Sequence, residues 1–307
     1  MPAKSGKGIS RRDFFKKTAA SGAGIAAVKA VPSVGVSAEA SPAEQTGRKV
    51  LIMSDMEGVD GIFNWAGQCN PRESPRWQES QRLLTGEVNA AVEGLLAGGA
   101  TEVVVWDGHD GGEALSASDI HPRVRLLIGS PIREFDSTFN AIVFVGQHAM
   151  AGAEGSILPH SFFFNIQNLW VNGRLTGEIG IRAMVAGEMG VPAIMLAGDT
   201  AACTEIRELI PQAECAEVKS GVSPAAGFTL PHPVACELIR TRVESAMKRL
   251  SEFKPYRVQG PVEVKVEFTT SGDPGREPRR ASRRIDERTV VYTGKNIIDA
   301  WFKFGRL

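Results

Sequence analysis

The sequence predicts an α/β fold: a mostly parallel central sheet flanked by helices, with a smaller C-terminal α+β portion. Three observations lead there. Short apolar runs that read as buried strands recur from Val50 to Ala197. An amphipathic helix joins the first two, and strand–helix–strand at that spacing implies a right-handed βαβ unit with parallel strands. Further on, Pro261 to Thr269 alternates apolar and polar residues, as a half-solvated strand does.

Residues 1–40 stand apart from this pattern. Ser10-Arg11-Arg12-Asp13-Phe14-Phe15-Lys16 is a twin-arginine pattern, Thr18 to Val36 is mildly apolar, and Ala38-Glu39-Ala40 is an A-x-A-type cleavage site. Together they describe a Tat-type signal peptide, so export to the periplasm or beyond through the Tat machinery is expected. Lys29 interrupts the apolar stretch, which is too short for a membrane span. Residues 41–47 form a polar linker. Without the seven basic and two acidic residues of 1–40, the chain holds 28 basic and 33 acidic residues, a net charge of −5. That balance argues against a nucleic-acid partner. Cys69, Cys203, Cys215 and Cys236 show no C-x-x-C spacing, which excludes a zinc ribbon and favours buried free thiols.

The first strand, around Val50–Met53, ends in Asp55-Met56-Glu57-Gly58. In extended backbone, residues i and i+2 point the same way, so Asp55 and Glu57 project together. Val59 to Pro75 reads as a loop folded over something. Glu79 to Leu96 is a helix with Leu83, Leu84, Val88, Ala91, Val92 and Leu95 on one face. The strand Thr101–Trp106 runs into Asp107-Gly108-His109, and the strand Asn140–Val145 into Gly146-Gln147-His148. Asn172-Gly173 is a hairpin turn signal. Gly177-Glu178 opens a helix ending near Gly190, and Val191–Ala197 is a further buried strand before Asp199 caps the next helix. Val234 to Leu250 is an amphipathic helix. Ser271 to Glu287 reads as a basic loop carrying Arg276, Arg279, Arg280, Arg283 and Arg284. The terminal helix Ile297–Phe304 presents Trp301, Phe302 and Phe304 as a candidate subunit contact. Residues 48–212 are expected to form the metal-binding catalytic domain, and 213–307 an α+β portion serving oligomerisation or as a substrate lid.

Ligands bind beyond the carboxyl ends of strands in open α/β sheets. Three strands deliver Asp55/Glu57, Asp107/His109 and His148 to that edge. With Glu178 from a helix start, Asp55, Glu57, His109 and His148 make a mixed carboxylate–imidazole set large enough for two metals such as zinc. Asp55 is the natural bridge. His121 and His232 lie next to Pro and read as ordinary loop residues.

Six motifs in register resemble the zinc-dependent D-aminopeptidases of the DppA type. They are Ser54-Asp55-Met56-Glu57-Gly58, Asp107-Gly108-His109, Gly146-Gln147-His148-Ala149, Pro159-His160-Ser161, Gly177-Glu178-Ile179-Gly180 and Ala197-Gly198-Asp199. The resemblance extends from Lys49 to about Phe268. It implies two Zn²⁺ per subunit, bridged by Asp55, with Glu57 and His148 on one and His109 and Glu178 on the other. It implies His160 as the catalytic residue, and a ring-shaped homo-oligomer, decameric in the type case. The implied reaction removes an N-terminal D-amino acid from short peptides by metal-activated water. Two departures bear on substrate choice and subunit contacts: Thr200 stands where the family commonly has a second acidic residue, and the C-terminal part is Arg-rich. Two other functions compete. One is a metal-dependent amidase, lactonase or ester hydrolase on the same residues, and the other is an exported binding protein without turnover.

Overall fold

The computed structural model describes residues 47–129, 136–270 and 281–304. The signal peptide, most of the linker, and Arg276, Arg279 and Arg280 lie outside the described residues. No helix among the described residues is long and apolar enough to cross a membrane.

The central sheet forms around the first apolar run, β1 (Lys49–Ser54). It pairs in parallel with β2 (Glu102–Asp107) on one side and β4 (Ala141–Gln147) on the other. Beyond β2 lies β3 (Val124–Leu127). Beyond β4 lie β7 (Ala193–Asp199), β8 (Glu214–Ser223) and β9 (Ala226–Thr229), the last pair antiparallel. The order among the described residues is β3-β2-β1-β4-β7-β8-β9.

Strand alternation sends side chains to two cores, which explains why β1 has no polar face. Val50 and Ile52 pack with α1 (Trp77–Ala97) and α4 (His232–Lys248), through Leu84, Val88 and Leu95 on one helix and Ile239, Val243 and Met247 on the other. Leu51 and Met53 face α2 (Glu178–Glu188), α3 (Thr200–Leu209) and a second sheet. That sheet is antiparallel, in the order β11-β12-β10-β5-β6. Its strands are β5 (Ile166–Val171), β6 (Arg174–Leu175), β10 (Val262–Phe268), β11 (Arg283–Arg284) and β12 (Thr289–Gly294). The alternation expected in β10 is present, with Val262, Val264, Val266 and Phe268 buried. The β5–β6 turn is Asn172-Gly173, with φ of 48° and 82°, the left-handed pair that a two-residue hairpin requires.

Three expectations need correction. Residues 214–229 extend the central sheet, while β5 and β6 join the second one, so a division at 212/213 does not separate the two sheets. Helix α5 (Ile297–Phe304) does not offer Trp301 to a partner, because the indole is fully buried against Phe162 and Phe304. Arg283 and Arg284 are part of an edge strand rather than a loop.

The carboxyl ends of β2, β1, β4 and β7 lie side by side. Asp55 N donates to Val145 O at 2.9 Å and Gly58 N to Gly146 O at 2.8 Å, so the turn after β1 lies directly on the end of β4. A Cβ on Gly58 would overlap the Gln147 backbone carbonyl. Gly58→Ala is therefore expected to cost about 2–3 kcal/mol through forced backbone displacement, read as a lowered urea midpoint. An unchanged midpoint would show that the turn has room to relax.

Candidate metal centre

Asp55 and Glu57 follow β1, His109 follows β2 and His148 follows β4. Glu178 opens α2, where the helix dipole favours a carboxylate. His160 comes from the connection between β4 and β5. All six are buried and converge at one sheet edge, in two groups that could each hold a metal ion: Asp55, Glu57 and His109, and His148, His160 and Glu178.

His109 Nδ1 lies 3.2 Å from Asp55 Oδ1 and 3.1 Å from Glu57 Oε2. Asp55 turns its other oxygen the opposite way, with Oδ2 3.7 Å from His148 Nε2. His148 Nε2 is also 3.4 Å from Glu178 Oε1. Asp55 thus stands between the two groups, with one oxygen turned toward each. The implied pairing is corrected by this geometry: Glu57 groups with His109, and Glu178 with His148. The reason is topological. Strands β2 and β4 flank β1 on opposite sides, so their histidines meet opposite oxygens of Asp55.

The outer nitrogen of each histidine faces a backbone carbonyl. His109 Nε2 is 2.7 Å from Cys69 O, His148 Nδ1 is 3.0 Å from Ala149 O, and His160 Nδ1 is 2.9 Å from Leu158 O. Each such N–H donates outward, which orients the ring and aims the second nitrogen at the carboxylates, as metal-ligating imidazoles are oriented. Imidazole lone pairs and carboxylate oxygens then converge, and Glu57 Oε2 is buried without a well-aligned hydrogen bond. A cation in this space would be favoured by both sets of atoms. The donor set of nitrogen and oxygen fits zinc.

Charges respond accordingly. Burial opposes charge on His148, but Glu178 and Asp55 override it and push the imidazole up to about 10. His109 is likewise raised, with Glu57 and Asp55 outweighing burial. Glu178 falls to about 2 despite burial, because Arg182 and His148 sit beside it. His160 moves the other way: burial and the neighbouring His148 charge lower it. Its ring stacks on His148 with centroids 3.9 Å apart.

Several buried polar residues around the site carry no signal in the sequence. Arg182 is one helical turn from Glu178. It reaches Glu178 Oε2 at 3.0 Å, Asp55 Oδ2 at 3.4 Å and Gln147 Oε1 at 3.3 Å. Lys219 Nζ donates to the carbonyls of Glu57 and Ile62, holding the loop that carries Glu57; burial lowers it to about 8. Glu205 accepts from Met150 N at 2.9 Å and Gly177 N at 3.1 Å, tying the loop after His148 to the start of α2. Its own burial raises it to about 7. Two sequence readings change. Asp107 does not join the cluster, since its Oδ2 accepts from Ala114 N at 2.7 Å and Leu115 N at 2.8 Å and so shapes the following loop. His232 is not a loop residue: it begins α4 and pairs with buried Asp60 at 2.7 Å.

A family model described as D-aminopeptidase matches residues 48–304. The chain belongs to the D-aminopeptidase family. It is an aminopeptidase-type hydrolase with a mixed α/β fold. A D-aminopeptidase of Bacillus subtilis (strain 168) is 29% identical over 269 residues, covering 82% of this chain and 94% of that relative. The solved structure of the Zn-dependent D-aminopeptidase DppA from Bacillus subtilis, a self-compartmentalizing protease, matches with a TM-score of 0.76 and 27% identity. That match covers 83% of this chain and 94% of the other.

Two outcomes follow from this site. Glu205→Ala leaves two backbone N–H groups without acceptors and should lower stability by about 2–4 kcal/mol in urea unfolding, with Glu205→Gln costing less. In the metal-free protein the raised His148 stabilises fully below about 6.5 and loses that contribution as pH climbs through about 10. The depressed Glu178 stabilises above about 4.3 and loses its contribution as pH falls through about 2. Thermal midpoints of metal-free protein should therefore decline from pH 6.5 to 9.5. Zinc affinity should rise over the same interval, by about tenfold per pH unit for each proton displaced. Calorimetry in buffers of different ionisation enthalpy reads the released protons.

Proposed function

We propose that this family member is an exported binuclear zinc aminopeptidase that removes N-terminal D-amino acids from short peptides. The observation that supports the metal count is the pair of buried three-residue groups, with Asp55 placed between them. Asp55, Glu57 and His109 would hold one zinc, and Asp55, His148 and Glu178 the other. Bound there, the metals would supply an activated water and polarisation of the scissile carbonyl.

The chain's own residues do the remainder. Arg182 offsets the charge of Asp55 and Glu178 from behind and keeps both oriented. Leu158 O fixes His160 so that Nε2 faces inward, 4.0 Å from Glu57 Oε1 and 3.9 Å from Glu178 Oε1. A neutral imidazole in that position can accept a proton during attack and return it to the leaving amine, and burial of His160 favours that neutral form. Its membership of the second group supports a different role, as a third ligand on that side.

The self-compartmentalizing character of the DppA neighbour supports assembly of this chain into a homo-oligomer as well. Export rests on the twin-arginine pattern at Arg11-Arg12. Replacing both arginines by lysine should retain the protein in the cytoplasm, as read by cell fractionation; undiminished export would refute the Tat route.

Zinc-loaded protein assayed on paired D- and L-aminoacyl dipeptides should cleave the D member alone, and equal rates would remove the stereochemical part of the proposal. His160→Ala should lower kcat by at least about 100-fold while two zincs per subunit remain by metal analysis. Loss of one zinc instead would make His160 a ligand.

A further inference from the structure

The chemistry described so far uses carboxylates, imidazoles and a guanidinium, yet the open side of the site is aromatic. Phe164 is 53% exposed, one of eight large apolar side chains left in solvent among the described residues. Its ring stacks on the outer face of His160, with centroids 4.6 Å apart and 24° between planes. It also meets Trp65 edge-on at 4.8 Å. Trp65 in turn lies 5.9 Å from His109 and 6.3 Å from His160, so it borders both groups of candidate ligands. A wall of two rings therefore stands over the histidines.

Both rings are fixed by the residues that build the centre. Trp65 begins the one-turn helix Trp65–Cys69, which is capped by Asn64 and ends in the carbonyl that receives His109 Nε2. Trp65 O accepts from Ser74 Oγ at 3.3 Å. On the other side, Phe162 N donates to Glu178 Oε1 at 2.6 Å. Phe162 has a φ of 58°, a left-handed conformation that a bulky residue adopts only when its surroundings demand it. Its ring turns into the core against Trp301, while Phe164, two residues on, lies over His160. An exposed Phe held this way serves no core. Strained backbone and exposed apolar surface at a site are better explained by a ligand than by folding.

We infer that Trp65 and Phe164 form the subsite for the side chain of the substrate's N-terminal residue, and that they select an aromatic or large apolar side chain there. This rests on the aminopeptidase reading of the same site. The argument is one of reach. The scissile carbonyl must come within about 3 Å of the reacting groups. The side chain of the N-terminal residue branches from the carbon bonded to that carbonyl. It therefore begins within ring-contact range of the wall, where aromatic centroids pair at about 4.5–7 Å. The other side chains at the centre, Asp55, Glu57, Glu178 and Arg182, are charged and buried, and offer an apolar side chain no favourable contact.

The test compares kcat/KM for D-Phe-Gly and D-Ala-Gly using zinc-loaded full-length protein. The wild type should favour D-Phe-Gly by about tenfold or more. Phe164→Ala should lower D-Phe-Gly by about tenfold more than D-Ala-Gly, and Phe164→Leu, which keeps apolar volume, should fall between. D-phenylalanine should quench tryptophan fluorescence at lower concentration than D-alanine, and Phe164→Ala should remove that difference. This binding readout needs no turnover. If neither peptide is cleaved but the Phe164-dependent binding difference persists, the subsite stands and the reaction assignment fails. A D-Phe to D-Ala ratio that Phe164→Ala leaves unchanged overturns the subsite. So does an equal loss on both peptides accompanied by a smaller particle in light scattering, which would make Phe164 a contact between copies of the chain.

Discussion

Three carboxylates, Asp55, Glu57 and Glu178, are buried at one sheet edge, and their mutual repulsion is the constraint on which the rest of the site depends. An ionised carboxylate taken from water costs several kcal/mol, which only compensating charge and hydrogen bonds offset. The protein supplies that compensation from several sides. Imidazoles come from the two neighbouring strands, a guanidinium comes from one turn along α2, and backbone carbonyls behind the histidines hold each ring in place. The space that remains between the imidazole nitrogens and the carboxylate oxygens is suited to a cation.

The same demand explains the local architecture. A turn that carries two acidic residues off β1 has to lie against the end of β4 to place Asp55 between His109 and His148, and only glycine at position 58 permits the approach. Lys219 and Glu205 then tie down loops that would otherwise be free to move the ligands apart. Both sit on elements of the central α/β layer, β8 and α3, so the site is positioned by rigid structure rather than by its own loops.

Much of the fold was legible in the primary structure because burial leaves a pattern. The strands β1, β2, β4 and β7 are apolar on both faces, and β10 alternates, so their existence and approximate limits could be read directly. Asp55, Glu57, His109 and His148 stood out because each follows such a strand within three residues of a glycine. Glu178 was weaker, since an acidic residue in the first turn of a helix has an ordinary explanation in the dipole. Arg182, Lys219 and Glu205 were not legible. An Arg one turn after a Glu looks like a solvated ion pair, a Lys in a strand looks like an outward-facing residue, and a Glu between Thr204 and Ile206 in an amphipathic helix looks exposed. Burial of such residues depends on what packs against them, which periodicity does not contain. Trp301 failed in the opposite sense: an aromatic terminal helix resembled a docking surface, and Phe162 turned it into core.

The sequence by itself determined the α/β class, the strand ends that carry the candidate ligands, and the family of enzymes to which the chain belongs, because these follow from local patterning and motif order. The tertiary structure alone decided which candidate ligands group together. Glu57 meets His109 rather than His148 because β2 and β4 lie on opposite sides of β1, and strand order in a sheet is a long-range property. The tertiary structure also decided that Trp65 and Phe164, 99 positions apart in the chain, face each other over His160.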